Sequence, residues 1–201
     1  MSTTTTTATM RDARSIYFAD NHFGTDGGYN DAWVDLSLGP VPLGIPNWKS
    51  RRLAVQYHDL HHILTGYRTD WAGEFEISAW EIGAGCKTVA AAWILNLLAL
   101  ATGTLVLPRR TFAAFVRGRR SRSLYGERID ELLAQSVGEV RTRMSVPQGE
   151  PKADVGDGLL FAASALAGSL LGAVTVPLLG PPLVLIGLLA RIVADKHRKS
   201  A

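Results

Sequence analysis

The sequence predicts a predominantly helical protein, an all-α bundle that ends in an apolar helical hairpin. Apolar residues recur at helical spacing in its middle part, and no segment keeps the strict alternation of a strand. Its length of 201 residues has room for one domain and an appendage. We divide the chain into a disordered N-terminal tail (1–13), a helical domain (14–150) and the apolar hairpin (151–201).

The N-terminal part differs in composition from the rest of the chain. Its first residues are rich in Thr and lack the apolar core of a secretory signal, which is typical of a disordered tail. Residues 14–48 are rich in Gly, Asp, Asn and Pro with interleaved aromatic residues, so we expect an ordered arm with many turns. The single cysteine, Cys86, excludes an intrachain disulfide and a cysteine-based zinc site, which favours an intracellular setting.

Two consecutive helices are predicted in the middle of the chain. Apolar residues recur at helical spacing across 51–65, and Gly66 is a suitable C-terminal cap for that helix. Either Thr69 or Asp70 can cap a second helix directly afterwards. A further amphipathic helix is predicted across 129–144. The first two helices and their turn carry the residues that could bind a metal.

The first apolar stretch, 88–107, has Asn96 as its most polar member and is long enough to cross a bilayer. Arginines lie before it, at 51 and 52, and beyond it. Both groups of arginines favour the cytoplasmic side of a membrane. A helix that crossed the membrane at 88–107 would place them on opposite sides. We therefore interpret 88–107 as a buried or half-inserted helix that forms the base of a lipid-binding cavity.

The second apolar stretch, 159–179, is followed by the helix breaker Gly180-Pro181-Pro182 and by a shorter apolar limb at 183–193. We interpret this region as a helical hairpin that inserts into a membrane with both ends on one side. Small residues such as Gly168 and Gly172 would let two helices approach closely.

Basic residues are concentrated in one part of the chain. Residues 82–126 contain no acidic residue, and six arginines lie in the second half of this segment: Arg109, Arg110, Arg117, Arg119, Arg120 and Arg122. Such a patch suits anionic lipid headgroups or phosphates, although a solvated basic face has the same composition. We take Arg117 and Arg119 as candidates for a lipid- or phosphate-binding rim.

The candidate metal site consists of His58, Asp59, His62 and Glu74. On a helix His58 and His62 lie about 40° apart, so both imidazoles can face one ion. Glu74 would complete a set of two histidines and one carboxylate, which leaves a position open for water or substrate, as catalytic metals require. On one continuous helix Glu74 would lie about 18 Å beyond His62, so the motif requires the predicted turn.

Three neighbouring residues have alternative roles. Asp59 stands where the general base lies in H-E-x-x-H proteases, and its shorter side chain could reach the ion, orient a histidine or activate water. His61 is either a third histidine ligand or a residue behind the ligands, and Glu81 either supports the ligands or is a surface carboxylate. We take Asp59 and Glu74 as the candidate catalytic residues.

The pattern H-D-x-x-H, eleven residues, E resembles the hallmark of the coenzyme Q (ubiquinone) biosynthesis protein 4 family, and the resemblance covers about residues 50–147. It implies a divalent metal, usually zinc, with Asp59 as a ligand or near-ligand. A set of two histidines and one carboxylate would also hold Fe(II). The implied activity is chemistry at the carboxyl-bearing ring carbon of a prenylated quinone precursor, in which decarboxylation is coupled to hydroxylation.

The resemblance also implies a non-catalytic alternative, in which the chain presents a lipid and organises other quinone-biosynthesis enzymes. A membrane di-iron desaturase needs several histidine boxes, whereas this chain has one, and a metalloprotease would have Glu in place of Asp59. The expected partners are a prenylated quinone precursor or another isoprenoid lipid, and the cytoplasmic face of the inner membrane. Self-association into a homo-oligomer is compatible with this interpretation, and we expect no nucleic acid partner.

Overall fold

Eight helices and one short hairpin form the part of the chain that the structure, a computed structural model, describes, residues 7–38 and 41–199. The helices are α1 (Met10–Asp20), α2 (Lys49–Thr65), α3 (Trp71–Ala84), α4 (Ala90–Val106), α5 (Pro108–Arg119), α6 (Ile129–Ala134), α7 (Val137–Arg143) and α8 (Val155–Lys199). The strands are β1 (Trp33–Leu38) and β2 (Val41–Pro46). The predicted helical bundle is confirmed.

The core lies between α2, α3, α4 and the short helices that follow α5. Its largest fully buried apolar side chains are Met10, Leu60, Leu64, Ile77, Trp80, Leu100, Leu124, Tyr125 and Leu132. Five of them lie on the inner faces of α2, α3 and α4, and the others come from α1, α6 and the segment between α5 and α6. The polar residues of the metal motif lie at the edge of this core, where α2 meets α3.

The turn between α2 and α3 follows from local capping. Gly66 adopts a left-handed conformation with φ of 77°, which residues with a Cβ avoid, and it ends α2. Asp70, rather than Thr69, caps α3, because its carboxylate accepts a hydrogen bond from the Gly73 N–H at 2.9 Å. The first turn of α3, which contains Glu74, is thereby brought back toward α2.

The helices α3 and α5 approach each other at backbone distance. A Cβ placed on Gly118 would lie 2.1 Å from the carbonyl oxygen of Trp80, and one placed on Gly83 would lie 2.3 Å from that of Phe115. Since α4 lies between α3 and α5 in the chain, this contact joins the segments before and after α4 into one packed domain. The 17 residues of α4 also span only about 26 Å, less than a bilayer core of about 30 Å.

We expect Gly118→Ala to lower the free energy of unfolding by about 1–3 kcal/mol, because a methyl group there overpacks the backbone of α3. Gly158→Ala is the matched control on a helix, since a Cβ at Gly158 meets nothing within 4 Å. It should leave stability unchanged or raise it by up to about 1 kcal/mol. Denaturant unfolding of both variants measures the difference. Equal stabilities would contradict the close approach of α3 and α5.

The single helix predicted across 129–144 was wrong, because α6 and α7 are separate. The Ser136 hydroxyl accepts a hydrogen bond from the Glu139 N–H at 3.2 Å, and the Glu139 carboxylate accepts one from the Ser136 N–H at 2.9 Å. This capping box starts a new helix at Val137. The signature of this box is a Ser followed three residues later by a Glu. Apolar residues with helical spacing continue on both sides of it, and this continuity predicted one helix instead of two.

The boundary predicted for the disordered tail was also wrong. The helix α1 begins at Met10, and Met10 and Ala13 are buried. The segment is held to the start of α7, because the Met10 N–H donates to the Gln135 carbonyl at 2.8 Å and the Val137 N–H donates to the Ala8 carbonyl at 3.0 Å. Residues 1–6 of the predicted tail lie outside the described residues.

The arm predicted across 14–48 contains a hairpin that the sequence analysis did not predict. Strands β1 and β2 pair antiparallel from Trp33 opposite Pro46 to Leu38 opposite Val41. Two prolines and a glycine in β2 obscure the alternation that normally identifies a strand.

The predicted C-terminal hairpin was wrong, because 155–199 forms the single helix α8 and Gly180-Pro181-Pro182 lies within it. A proline removes one hydrogen bond and clashes with the carbonyl four residues earlier, which kinks a helix. A reversal requires turn residues with non-helical torsion angles. The segment Val155–Leu189 is long and apolar enough to cross a membrane, and almost none of its most apolar part is buried.

Candidate metal centre

Three predicted ligands converge where α2 meets α3. His58 Nε2 lies 3.2 Å from His62 Nε2 and 3.3 Å from one carboxylate oxygen of Glu74. The other oxygen of Glu74 lies 3.4 Å from His62 Nε2. His58 and His62 are one turn apart on α2, and Glu74 lies in the first turn of α3, so the cap at Asp70 sets their distance.

The spacing of these donors fits one metal ion. A tetrahedral ion with ligands at about 2.0–2.2 Å holds them about 3.3–3.6 Å apart. The three contacts of 3.2–3.4 Å agree with that requirement, and one donor atom from each residue lies within 4.8 Å of the others. The donor set of two imidazoles and one carboxylate suits zinc or Fe(II).

The hydrogen-bond partners determine where the histidine protons lie. His58 Nδ1 is 2.9 Å from a carboxylate oxygen of Glu81, and His62 Nδ1 is 3.0 Å from the carbonyl oxygen of Tyr67. Both partners only accept hydrogen bonds, so each Nδ1 carries a hydrogen, and in a neutral ring Nε2 has a lone pair that faces Glu74. With both rings neutral, three acceptors would face one another and repel, so the position between them favours a proton or a metal cation.

The electrostatics of the site favour positive charge. Burial disfavours a charge on His58, but Glu81 and Glu74 outweigh this effect, and the pKa of His58 lies well above its usual value. Burial also opposes the charge on Glu74, but hydrogen bonds from His58 and His62 lower the pKa of Glu74 to about 2. Without a metal, the site therefore holds a proton between carboxylates, and a bound ion would replace that proton.

One side of the site is open. The Glu74 side chain is 38% exposed and the His58 side chain 21%, whereas the His62 side chain is fully buried. An ion with three protein ligands keeps a position for water or substrate, as in catalytic zinc sites. The exposed edge at Glu74 is where such a molecule can approach.

Glu81 holds His58 from behind. Its fully buried carboxylate accepts hydrogen bonds from His58 Nδ1, from His61 Nδ1 at 2.8 Å, from the Tyr125 hydroxyl at 2.5 Å and from the Asn96 amide. Burial raises the pKa of Glu81, but the two histidines outweigh it, and its pKa lies well below the usual value. A carboxylate on the outer nitrogen of a ligand fixes the ring orientation and raises its basicity.

His61 does not offer a free nitrogen to a metal. Its Nδ1 donates to Glu81, and its Nε2 accepts a hydrogen bond from the Leu124 N–H at 2.8 Å. Burial lowers the pKa of His61, in agreement with a neutral ring. The ring packs between Trp80 and Tyr125, with centroid distances of 5.0 and 5.1 Å. Of the two roles considered for His61, the structure therefore supports the one behind the ligands.

Asp59, predicted as a fourth ligand, is not part of the group of converging donors. Its buried carboxylate accepts hydrogen bonds from the Tyr29 hydroxyl at 2.6 Å and the Tyr17 hydroxyl at 3.5 Å. Tyr17 also stacks on His62, with ring centroids 5.8 Å apart. Because Asp59 lies about 60° around α2 from His62 and has a short side chain, it points to the tyrosines of the N-terminal arm.

Sequence reasoning did not identify four residues that shape the site: Tyr17, Tyr29, Asn96 and Tyr125. Asn96 had a usable signal, because a lone amide in an apolar helix needs a hydrogen-bond partner when it is buried. The tyrosines gave no comparable signal, since aromatic residues in the N-terminal arm, or in the segment of Tyr125 between α5 and α6, are equally consistent with packing alone.

The two candidates for the lipid- or phosphate-binding rim, Arg117 and Arg119, both lie on α5 but contact different parts of the protein. Arg117 donates to the carbonyls of Pro147 at 2.9 Å and Thr65 at 3.0 Å, and it lines a cavity of about 250 Å³. Arg110, Arg141 and Tyr67 also line this cavity. Arg119 instead contacts Asp157, at the start of α8.

No family model, curated protein or solved structure matches the chain.

Proposed function

We propose that the chain is a metal-dependent enzyme that acts on a prenylated quinone precursor, as its resemblance to the ubiquinone-biosynthesis family implies. The observation that carries the proposal is the set of donors from His58, His62 and Glu74, spaced at 3.2–3.4 Å with one edge exposed. A structural ion would need a closed fourth position.

The proposed reaction is decarboxylation coupled to hydroxylation at one ring carbon. The ring–carboxyl bond breaks and carbon dioxide leaves, while one atom of molecular oxygen becomes the new hydroxyl group. The second oxygen atom leaves as water and requires two electrons from a reductant. When bound, the metal supplies the activation of oxygen. Zinc has no redox chemistry, so this step favours Fe(II), although the resemblance implies zinc.

The residues of the chain have separate tasks in this proposal. His58, His62 and Glu74 would hold the ion, and Glu81 keeps His58 in the required tautomer. Asp59, which Tyr29 holds beside the site, is our candidate for proton transfer at the ring carboxyl group. The arginine-lined cavity near Tyr67 is a candidate site for an anionic group of a lipid.

The apolar helix α8 supports a lipid substrate, because an isoprenoid tail resides in a membrane and α8 has the composition of a membrane-crossing helix. We place the metal domain on the cytoplasmic side of the inner membrane, since the arginines at 51, 52 and 109–122 favour that side. Other quinone-biosynthesis enzymes are the expected protein partners.

The reaction can be tested with the full chain in lipid vesicles. We expect a prenylated phenol that carries a carboxyl group to release carbon dioxide when Fe(II), oxygen and a reductant are present. Mass spectrometry with ¹⁸O₂ should find the label in the new ring hydroxyl. Zinc-loaded and metal-free protein are the controls. Substrate binding without turnover under all metal conditions would favour the alternative, a scaffold that presents the lipid to other enzymes.

A further inference from the structure

The outer face of α4 is apolar and exposed. Its inner face is buried in the core through residues such as Asn96 and Leu100. The opposite side carries large apolar residues that are between 36% and 84% exposed: Trp93, Ile94, Leu95, Leu105 and Val106. Soluble monomers rarely expose contiguous apolar surface of this kind without a binding partner.

The helix α8 is attached to the same region by its first turns. The buried Asp157 accepts hydrogen bonds from Arg119 at 3.3 Å and from Arg120 at 2.6 Å, which fixes the start of α8 to the end of α5. One turn later the Phe161 ring contacts the Phe115 ring of α5, with a centroid distance of 5.4 Å.

Further along, α8 packs directly on α4. A Cβ on Gly168 would lie 2.1 Å from the carbonyl oxygen of Leu97, and one on Gly172 would lie 3.4 Å from the Leu98 side chain. Two glycines four residues apart are the pattern with which membrane helices approach each other closely. The first half of α8 is therefore fixed to the domain rather than tethered by a linker.

We infer that α4 lies in the bilayer interface while α8, packed on it as one rigid two-helix unit, continues into the lipid, and that this unit seats the helical domain with its metal site on the membrane in a fixed orientation. The occupant of the exposed face is lipid rather than protein, because the exposed large residues of α8 between Gly172 and Leu189 are apolar and occupy more than one stripe of the helix. These exposed apolar residues are spread over more than half of the helix circumference, and β2 packs on another part of α8. They are Val174, Val176, Leu178, Leu179, Leu185, Leu188 and Leu189. A protein groove would cover one stripe of a helix.

The charges at the ends of α4 fit a helix that lies in the plane of the bilayer. Exposed Lys87 precedes α4 and exposed Arg109 follows it. Long basic side chains extend from an apolar surface to lipid phosphates, and a helix of about 26 Å with a cation at each end lies along the interface. The helix α8, whose exposed apolar part is longer, would continue into the hydrocarbon core.

This seating would also place the metal site near the membrane surface. A Cβ on Gly103, near the end of α4, would lie 2.7 Å from the Cβ of Phe75, the residue after Glu74. Trp71, one turn before Phe75 on α3, is 55% exposed, and aromatic residues of this kind favour the headgroup region. Glu74 therefore lies close to the C-terminal end of α4, the helix that we place at the interface.

Site-directed labelling tests the inference with the full chain. The native Cys86 is fully buried, so a Cys86→Ala background is suited to single new cysteines. We expect an environment-sensitive fluorophore at Leu95→Cys or Val106→Cys to shift to shorter emission wavelengths in vesicles of phosphatidylcholine and phosphatidylglycerol. Nitroxide-labelled lipids should quench it, as they quench a label at Val174→Cys on α8. A label at Ala134→Cys, exposed on α6, should show neither effect.

A second pair of variants tests whether the two helices act as one unit. In Gly168→Leu, α8 should still bind vesicles while the α4 labels lose their quenching, because the side chain forces α8 away from Leu97. Gly158→Leu should leave both vesicle binding and the quenching of the α4 labels unchanged, since nothing lies within 4 Å of a Cβ there. The inference would be overturned if, with Gly168 intact, lipid nitroxides quenched the label on α8 but not the labels on α4. Metal content of the same samples reports separately on the proposed metal site.

Discussion

Glu74→Gln is expected to remove the bound metal and to abolish complementation of a quinone-deficient strain. The substitution keeps the shape of the side chain but removes the negative charge that faces His58 and His62. Replacing a residue that only supports a metal ligand lowers metal affinity or activity by about 10- to 100-fold. Loss of a ligand itself should therefore reduce activity by at least about 100-fold. Metal analysis of the purified protein and growth of the complemented strain are the measurements, with protein abundance checked in the membrane fraction.

The controls separate ligands from neighbours. His58→Ala should lose the metal as Glu74→Gln does, whereas Asp59→Asn should retain it, because Asp59 contacts Tyr29 and Tyr17 instead of the converging donors. Equal metal content in wild type, His58→Ala and Glu74→Gln would refute the site. Full rescue of growth by Glu74→Gln at normal abundance would favour the scaffold over the enzyme.

We expect Glu81→Gln to destabilise the metal-free protein by about 3–5 kcal/mol, because the amide places a donor against groups that are themselves donors. The four donors to Glu81 come from His58, His61, Tyr125 and Asn96. Metal affinity should also fall by about 10- to 100-fold, since His58 loses the partner that fixes its tautomer. Denaturant unfolding and metal titration measure the two effects.

Glu131→Gln is the matched control for that experiment. Glu131 is exposed and pairs with Arg128 on the surface, where an ion pair contributes about 0–1 kcal/mol. An unchanged stability of Glu81→Gln would mean that the buried network does not hold the site together. A large loss of stability without a change in metal affinity would separate the structural role of Glu81 from its effect on His58.

Short-range patterns predicted the turn between α2 and α3 but not the break between α6 and α7. Gly66 and Asp70 mark the turn between α2 and α3 because capping involves residues three or four apart in the chain. The capping box at Ser136 is equally local, but it lies within an apolar periodicity that extends across both helices, and the periodicity led to one helix instead of two.

Hydropathy identified the apolar segments but not their arrangement. It cannot distinguish a kinked helix from a hairpin at Gly180-Pro181-Pro182, because a proline pair is compatible with both. Nor could it show that α8 packs on α4 through Gly168, since a close approach depends on which backbone lies opposite the glycine.

The sequence by itself determined the spacing of His58, His62 and Glu74 on two capped helices, because helical periodicity and capping act between neighbours in the chain. Only the tertiary structure decided the roles of their neighbours. Asp59 faces Tyr29, whereas His61 and Glu81 face a network built with other elements. The partners of a buried polar group come from whichever elements pack against it, and those elements are distant in the sequence.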